Sequence, residues 1–355
     1  MNRNRPNLNR LRQIQSPERF LWAILPHAAR TFSACITMLP ASSAKAAAVG
    51  YSYCRILDTY EDLAPTPEAG CRLLQKFASR FGKPEDQELS SGKSESELLP
   101  SPNLTETSPV DHRDQAHLLL VERCDLIDQV FQKLPQPSRI AIVRLVRDMA
   151  GGMIWAKRVF DNQGGILRNN SQLRHYSNAV LGNPVAFAMR LMVRRELSHQ
   201  EKETAMNVGE LIQLANVTRD IEKDLRRGVA YHPALEPWLS KDPEDASDII
   251  CEVRSELFDL AMSQAPAYRK MVEGIPFRWI SLSRASSILM LDFTDRYYRS
   301  CAKRISRPSW PGPQNSLRLL MGALPAFLSR GATSRRVRKV EKAFLNARQS
   351  TADLH

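Results

Sequence analysis

The sequence lacks any run of the roughly 18–20 apolar residues that a spanning helix needs, so no part of it reads as a transmembrane segment. The first residues, Met-Asn-Arg-Asn-Arg-Pro, lack the apolar core of a signal peptide. The six cysteines (Cys35, Cys54, Cys71, Cys124, Cys251 and Cys301) include no Cys-x-x-Cys pair, which argues against zinc and a disulfide framework and fits a reducing cytosol. Aromatics make up 7% and there are 15 glycines, too few for a glycine-punctuated β-fold. No period-two alternation and no repeat of fixed length appears. The cations are not interleaved with aromatics, and no zinc-finger or RRM signature is present, which argues against nucleic acid as partner. The seven histidines show no metal-ligand spacing and read as surface or packing residues.

What is present is helical period. At 355 residues and 43% hydrophobic, the chain can bury a large core. Residues 41–63 form a helix rich in alanine, stopped by Pro65 and Pro67. Segments near 114–133, 138–160, 171–195, 199–225, 246–263 and 276–304 carry apolar residues at i, i+3, i+4 spacing, for instance Ile140, Val143, Leu145, Val146 and Met149. The fold class is therefore all-α, a bundle of about ten helices. Residues 83–113 are rich in Ser, Glu and Pro, and read as a disordered insertion in a single domain spanning 1–305. Residues 306–355 form a basic C-terminal tail. Its apolar stretch Leu317–Leu328 precedes a run through Arg335, Arg336, Arg338, Lys339 and Lys342. Two readings fit the tail: an element that contacts a membrane surface peripherally, or, somewhat favoured, a last helix packed on the bundle with a solvated basic face. The net charge of +12 has two readings: it suits anionic lipid or an anionic small substrate, or it belongs to a basic tail and does little.

The chemistry sits in two acidic patches. Asp58 and Asp62, and Asp220 and Asp224, are each four residues apart in helical sequence, so each pair shares a face one turn apart. Like charges at that spacing repel, and the natural compensation is a divalent cation. Oxygen-only ligands favour Mg²⁺, which takes its remaining partners from water and substrate phosphate. Two such faces opposed across a helical cavity would hold a diphosphate. Gln213 and Asn216 extend the second stripe upstream, placing carbonyl oxygens beside the carboxylates. Asp292 and Asp295, beside Arg296, read as surface ion pairs.

These motifs resemble those of the squalene/phytoene synthases, which join two isoprenoid diphosphates head to head. Arg55-Ile-Leu-Asp58-Thr59-Tyr-Glu61-Asp62 is similar to the family's first aspartate motif, in the Asp-Thr-x-Glu-Asp form that leans to the squalene synthase branch. Gln213 through Asp224, with the trailer Arg227-Gly228-Val-Ala-Tyr231-His-Pro233, is similar to the second. Arg30-Thr31-Phe32, Gly151-Gly152-Met153 and Tyr176–Gly182 follow the family's order, and the resemblance spans about residues 20–300. Ala29, Lys223, Asn183 and Pro184 depart from the usual pattern.

The resemblance implies an isoprenoid-synthase-type bundle with a central active-site cavity. It implies Mg²⁺ held by Asp58, Asp62, Asn216, Asp220 and Asp224, and prenyl diphosphates contacted by Arg30, Thr31, Phe32, Tyr51, Arg55, Gln213, Asn216, Arg219, Arg227 and Tyr231. The catalytic set would be Asp58, Asp62, Asp220, Asp224 and Tyr176. A proton acceptor would come from diphosphate itself, Tyr51, Tyr53 or Tyr176. The leading expectation is two farnesyl diphosphates converted to presqualene diphosphate and then squalene; whether a hydride from NADPH, which the squalene branch uses, finishes the reaction stays open. Phytoene or dehydrosqualene synthesis, without NADPH, is the alternative within this chemistry. A non-catalytic assembly or binding protein and a terpene cyclase are alternatives of other classes. The expected setting is the cytoplasm, with membrane association only under the first of the two readings of the tail.

Overall fold

The computed structural model describes residues 7–29, 31–82, 112–239, 241–276, 281–305, 321, 323, 325, 326 and 328–352. Arg30, nearly all of the insertion assigned to 83–113, and Pro308, Pro311 and Pro313 lie outside these residues. The chain divides into two compact units, Met1–Arg158 and Val159–His355. Among the described residues there is no regular strand, only an isolated parallel bridge between Ile166 and Ala230. No helix among them is long and apolar enough to cross a membrane.

The first unit contains α1 (Leu8–Arg12), α2 (Pro17–Ala28), α3 (Thr31–Thr37), α4 (Ala41–Leu63), α5 (Pro67–Ser79), α6 (His112–Glu122), α7 (Cys124–Gln132) and most of α8 (Gln136–Asn162). Helix α4 has the bounds its composition predicts and packs against α2, α3, α5, α6 and α7. Small residues let it approach so many neighbours: Ala44, Ala46, Ala47 and Ala48 are all buried. Pro67 both forbids continuation of α4 and occupies the first turn of α5, where its missing N–H costs nothing. Thr66 caps that turn, its hydroxyl accepting from the Ala69 N–H at 3.2 Å.

The single helix predicted over 114–133 is divided at Arg123. Its guanidinium donates to the carbonyls of Arg12 (2.6 Å) and Ile14 (3.1 Å), a tertiary tie that local period cannot reveal. Tyr53, Phe77, Phe81 and Phe131 form an edge-to-face cluster with centroid separations of 5.0–5.8 Å. The Tyr53 hydroxyl donates to Asp128 at 2.7 Å, and Asp128 is paired with Arg80 at 2.5 Å.

The second unit contains α9 (Asn170–Ser177), a π-helical turn (Asn178–Gly182), α10 (Asn183–Val193), α11 (His199–Leu225), 3₁₀ turns Pro233–Trp238 and Pro243–Ala246, α12 (Ser247–Ser263), α13 (Ala265–Gly274), α14 (Leu282–Arg304) and α15 (Arg330–Ala352). The 27-residue α11 is its axis, touching α9, the π turn, α10, α12, α13 and α14. A capping box starts it: Ser198 Oγ accepts from the Glu201 N–H, and the Glu201 carboxylate accepts from the Ser198 N–H. The helix predicted over 171–195 is interrupted by the π turn just before Pro184. Proline has no N–H and clashes with the carbonyl four residues back, and a wider turn relieves both.

Asp292 and Asp295 are not surface ion pairs. Both are fully buried at 0% exposure, because α15 covers α14. Arg336 of α15 meets Asp292 at 2.5 Å and Arg299 meets Asp295 at 2.8 Å. Burial, the largest effect, raises the Asp292 carboxyl to about 6 against the pull of Arg336. The described tail is thus a helix of the second unit, seated by Thr333, Val337, Val340, Phe344 and Ala347.

Candidate active site

On α4, Tyr51, Arg55, Asp58 and Asp62 fall at successive one-turn steps on one face. Arg55 joins them: its guanidinium donates to the Tyr51 hydroxyl at 2.7 Å and pairs with Asp58 at 3.2 Å. The Arg55 Nε is buried without a hydrogen-bond partner, an unmet donor beside two carboxylates. Phe32 of α3 lies against the Tyr51 ring, centroids 5.6 Å apart.

Burial raises the Asp58 carboxyl to about 6, with the Asp62 charge adding to the shift and Arg55 opposing it. Its side chain retains 28% exposure, so the carboxyl is sunk among protein atoms yet open on one side. Glu61 is raised further, to about 8, by burial and then by Asp62 and Asp58, while Lys157 pulls the other way. Burial lowers the Arg55 guanidinium, but Tyr51, Asp58 and Asp62 outweigh it and the net direction is upward. This face is short of positive charge, a condition a bound cation would relieve.

Tyr53 does not belong to this face. Five residues from Asp58, it stands about 140° around the helix, at 0% exposure in the aromatic cluster. With its hydroxyl held by Asp128, it is not placed to accept a proton from substrate.

On α11, Gln213, Asn216, Asp220 and Asp224 keep the predicted stripe. Gln213 is buried and accepts from the Asn216 amide at 3.2 Å, while Asn216, Asp220 and Asp224 are half-buried. Arg219 binds Asp220 in a two-pronged fashion through its Nε/Nη2 edge, with Nε to Oδ1 at 2.8 Å, and this bond raises the guanidinium. Several residues that the motifs do not contain hold the segment. The Arg219 guanidinium carbon lies 5.1 Å from the Tyr297 ring centroid, and Arg304 donates to the Arg219 carbonyl at 3.0 Å. Arg254 bonds the Thr218 carbonyl (2.9 Å) and Glu222 (2.6 Å). No local signal marks Tyr297, Arg304 or Arg254, since each acts across a helix–helix contact.

Tyr176 and Tyr231 stack at 5.5 Å and 28°, with Phe160 edge-on to both. Tyr231 reaches this position through the Arg227-Gly228 turn. Gly228 has φ +72°, and Gly165, φ +93°, passes so close that a Cβ there would stand 2.1 Å from the Gly228 carbonyl oxygen. The Ala230 N–H donates to the Gly165 carbonyl at 2.8 Å and ties the trailer down. Arg227 is exposed at the turn. Thr31 opens α3, and Arg30 lies outside the described residues. One turn before Gln213, the fully buried Glu210 meets Arg174 of α9 at 3.2 Å, an ion pair the motifs did not include.

Among the described residues, no three His, Cys, Asp or Glu side chains gather into a metal cage. Each helix instead offers an aspartate pair one turn apart, with Asn216 added on α11. Mg²⁺ is commonly held by one or two carboxylates plus substrate phosphate, and the donors are hard oxygens. Burial chiefly, and the Asp62 charge after it, disfavour the ionised Asp58 carboxylate, and a bound cation would offset both. The residues fit the ion.

A family model described as squalene/phytoene synthase matches residues 25–264. No curated protein matches the sequence. Among solved structures, a complex of TcSQS with the ligand E5700 is similar at TM-score 0.61 and 16% identity, covering 94% of this chain and 98% of that one. A dehydrosqualene synthase with bound ligand is similar at TM-score 0.51 and 15% identity, covering 96% and 99%. At such identities the structural likeness speaks for the fold alone.

Proposed function

The chain belongs to the squalene/phytoene synthase family and is a prenyltransferase, and from that premise we propose that it joins two farnesyl diphosphates head to head in a Mg²⁺-dependent reaction. The observation that carries the reading is an arrangement found on two long helices. Arg55 pairs with Asp58 with Asp62 one turn on, and Arg219 pairs with Asp220 with Asp224 one turn on. Each helix thus offers a diphosphate a cation-binding carboxylate pair and a guanidinium.

When bound, Mg²⁺ would supply Lewis-acid neutralisation of the departing diphosphate. Asp58 and Asp62, and Asn216, Asp220 and Asp224, would hold it. Arg55 and Arg219 present planar donors that match phosphate oxygens. Arg55 carries a spare buried Nε–H, and Tyr51 fixes its rotamer through the 2.7 Å bond. Ionisation leaves an allylic cation that water would quench, so the groups near it must be apolar or π-rich. Phe32 in the first unit offers a π-face, and so does the stacked Tyr176–Tyr231 pair in the second. Attack by the second substrate's double bond, with one proton lost to the released diphosphate, then gives presqualene diphosphate. After a second ionisation and rearrangement, NADPH, when bound, would supply the hydride that gives squalene.

Retention of all five ligand positions speaks against a non-catalytic relative. The Arg-Gly-x-x-Tyr-x-Pro trailer, folded against Gly165, speaks against a cyclase acting on one diphosphate. The test is diphosphate release from farnesyl diphosphate by the purified full chain. Release that requires Mg²⁺ and stops in Asp58→Asn and Asp220→Asn supports the reading; wild-type release from either variant overturns it.

A further inference from the structure

We propose that the outward face of α15 is a docking surface for the anionic headgroups of a phospholipid bilayer. The helix is two-sided. Thr333, Val337, Val340, Phe344 and Ala347 are buried against α12, α13 and α14. The seating is fixed by Arg336 on Asp292 at 2.5 Å and by Glu341 with Arg269 of α13 at 3.1 Å. The second pair uses Glu341, the sole carboxylate between Arg330 and Ala347.

The other side carries Arg335, Arg338, Lys339 and Lys342, all exposed. At i, i+3, i+4 and i+7 they fall within about 100° of the helix circumference. Like charges at these spacings destabilise a helix, and no carboxylate shares their arc. Arg330 adds a fifth exposed cation at the helix start. The helix tolerates this repulsion because its buried side anchors it, which leaves a rigid cationic ridge facing outward.

Chemistry selects the partner. A small anion would not need four cations spread over two turns, whereas a polyanionic surface would. Met321 and Leu328, the two exposed large apolar side chains among the described residues at 59% and 67% exposure, lie in the stretch that leads into α15. Leu328 is two residues from Arg330. Apolar side chains next to a cationic ridge suit an interface between headgroups and acyl chains. A nucleic acid would want aromatic faces for bases, and the exposed residues of α15 include none.

The experiment is flotation of the full chain with vesicles of phosphatidylcholine alone or with about 30% phosphatidylglycerol, at low salt and at about 0.5 M NaCl. Binding is expected only to the anionic vesicles, and high salt should reverse it. Each surface cation is worth about fivefold in partition, so R335Q/R338Q/K339Q/K342Q should lose more than about a hundredfold. The charge-preserving R335K/R338K/K339R/K342R should bind as wild type, which controls for folding. Equal binding to neutral vesicles, full binding by the glutamine variant, or capture of an RNA duplex without capture of anionic vesicles would each overturn the proposal. The readout needs no turnover, so it stands or falls independently of the reaction proposed above.

Discussion

Gly182 and Gly209 cross so closely that a Cβ on Gly209 would lie 2.4 Å from the Gly182 Cα. This contact sets the π turn directly on α11, four residues before Gln213. A Cβ on Gly182 would in turn meet the Met206 sulfur at 2.6 Å. The sulfur sits on a flexible side chain that can yield; the Gly182 backbone cannot.

Gly209→Ala is therefore expected to destabilise by about 2–4 kcal/mol through overpacking. Gly182→Ala should cost less. Gly151, exposed on α8 with nothing within 4 Å of where a Cβ would stand, is the counter-case. Gly151→Ala should stabilise by about 0.5–1 kcal/mol, the helix-interior glycine cost. Thermal or denaturant unfolding of the three variants checks the order.

The sunken carboxylate on α4 gives an activity loss without a stability loss. Burial raises the Asp58 carboxyl from its ordinary value to about 6, so the folded chain disfavours its charged form. Around neutral pH and above, the ionised group costs stability; below about 4 it is protonated in both states and contributes nothing. Asp58→Asn should lower diphosphate release at least about a hundredfold, yet leave the Mg²⁺-free thermal midpoint at pH 8 at or above that of the wild type. A large fall in that midpoint would show that Asp58 holds the fold rather than the substrate.

Arg336→Met tests the buried pair behind α15. It strands the Asp292 carboxylate, and breaking a buried pair this way costs about 3–5 kcal/mol. Asp292, already raised to about 6 by burial, would rise further in the variant. The penalty should shrink as pH falls from the variant's raised value towards 6 and be lost below 6, where Asp292 is protonated in the folded state of both proteins. A penalty equal at pH 5 and pH 8 would contradict this.

Tyr176 is stacked on Tyr231 with Phe160 edge-on. If its ring rather than its hydroxyl matters, Tyr176→Phe should keep turnover within about threefold while Tyr176→Leu loses about tenfold or more, a cation–π-sized effect. Turnover with saturating substrate separates the two.

Much of this fold is legible from the chain alone. The bounds of α4 follow from alanine-rich sequence closed by Pro65 and Pro67, and the α11 stripe from Gln213 to Asp224 follows from spacing alone. What is not legible depends on partners distant in sequence. Arg123 divides a helix because it reaches Arg12 and Ile14. Asp292 and Asp295 look like surface charges until α15 covers them. Tyr53 shares a motif with Arg55 but points to the other side of α4, into an aromatic core. Tyr231 lies 55 residues from Tyr176, and the trailer that carries it is held by the Gly165–Gly228 approach and by bonds between Ala230 and both Gly165 and Leu167. The candidate ligands were visible because they repeat at helical period; their supports, Tyr297, Arg304 and Arg254, were not because they do not.

The central claim is head-to-head coupling, and product identity tests it most directly. The purified full chain would be incubated with farnesyl diphosphate and Mg²⁺, with and without NADPH, and the extracted products identified by mass spectrometry. The account predicts squalene when NADPH is present and presqualene diphosphate accumulating without it. Products built from a single farnesyl unit, or no diphosphate release at all, would contradict it.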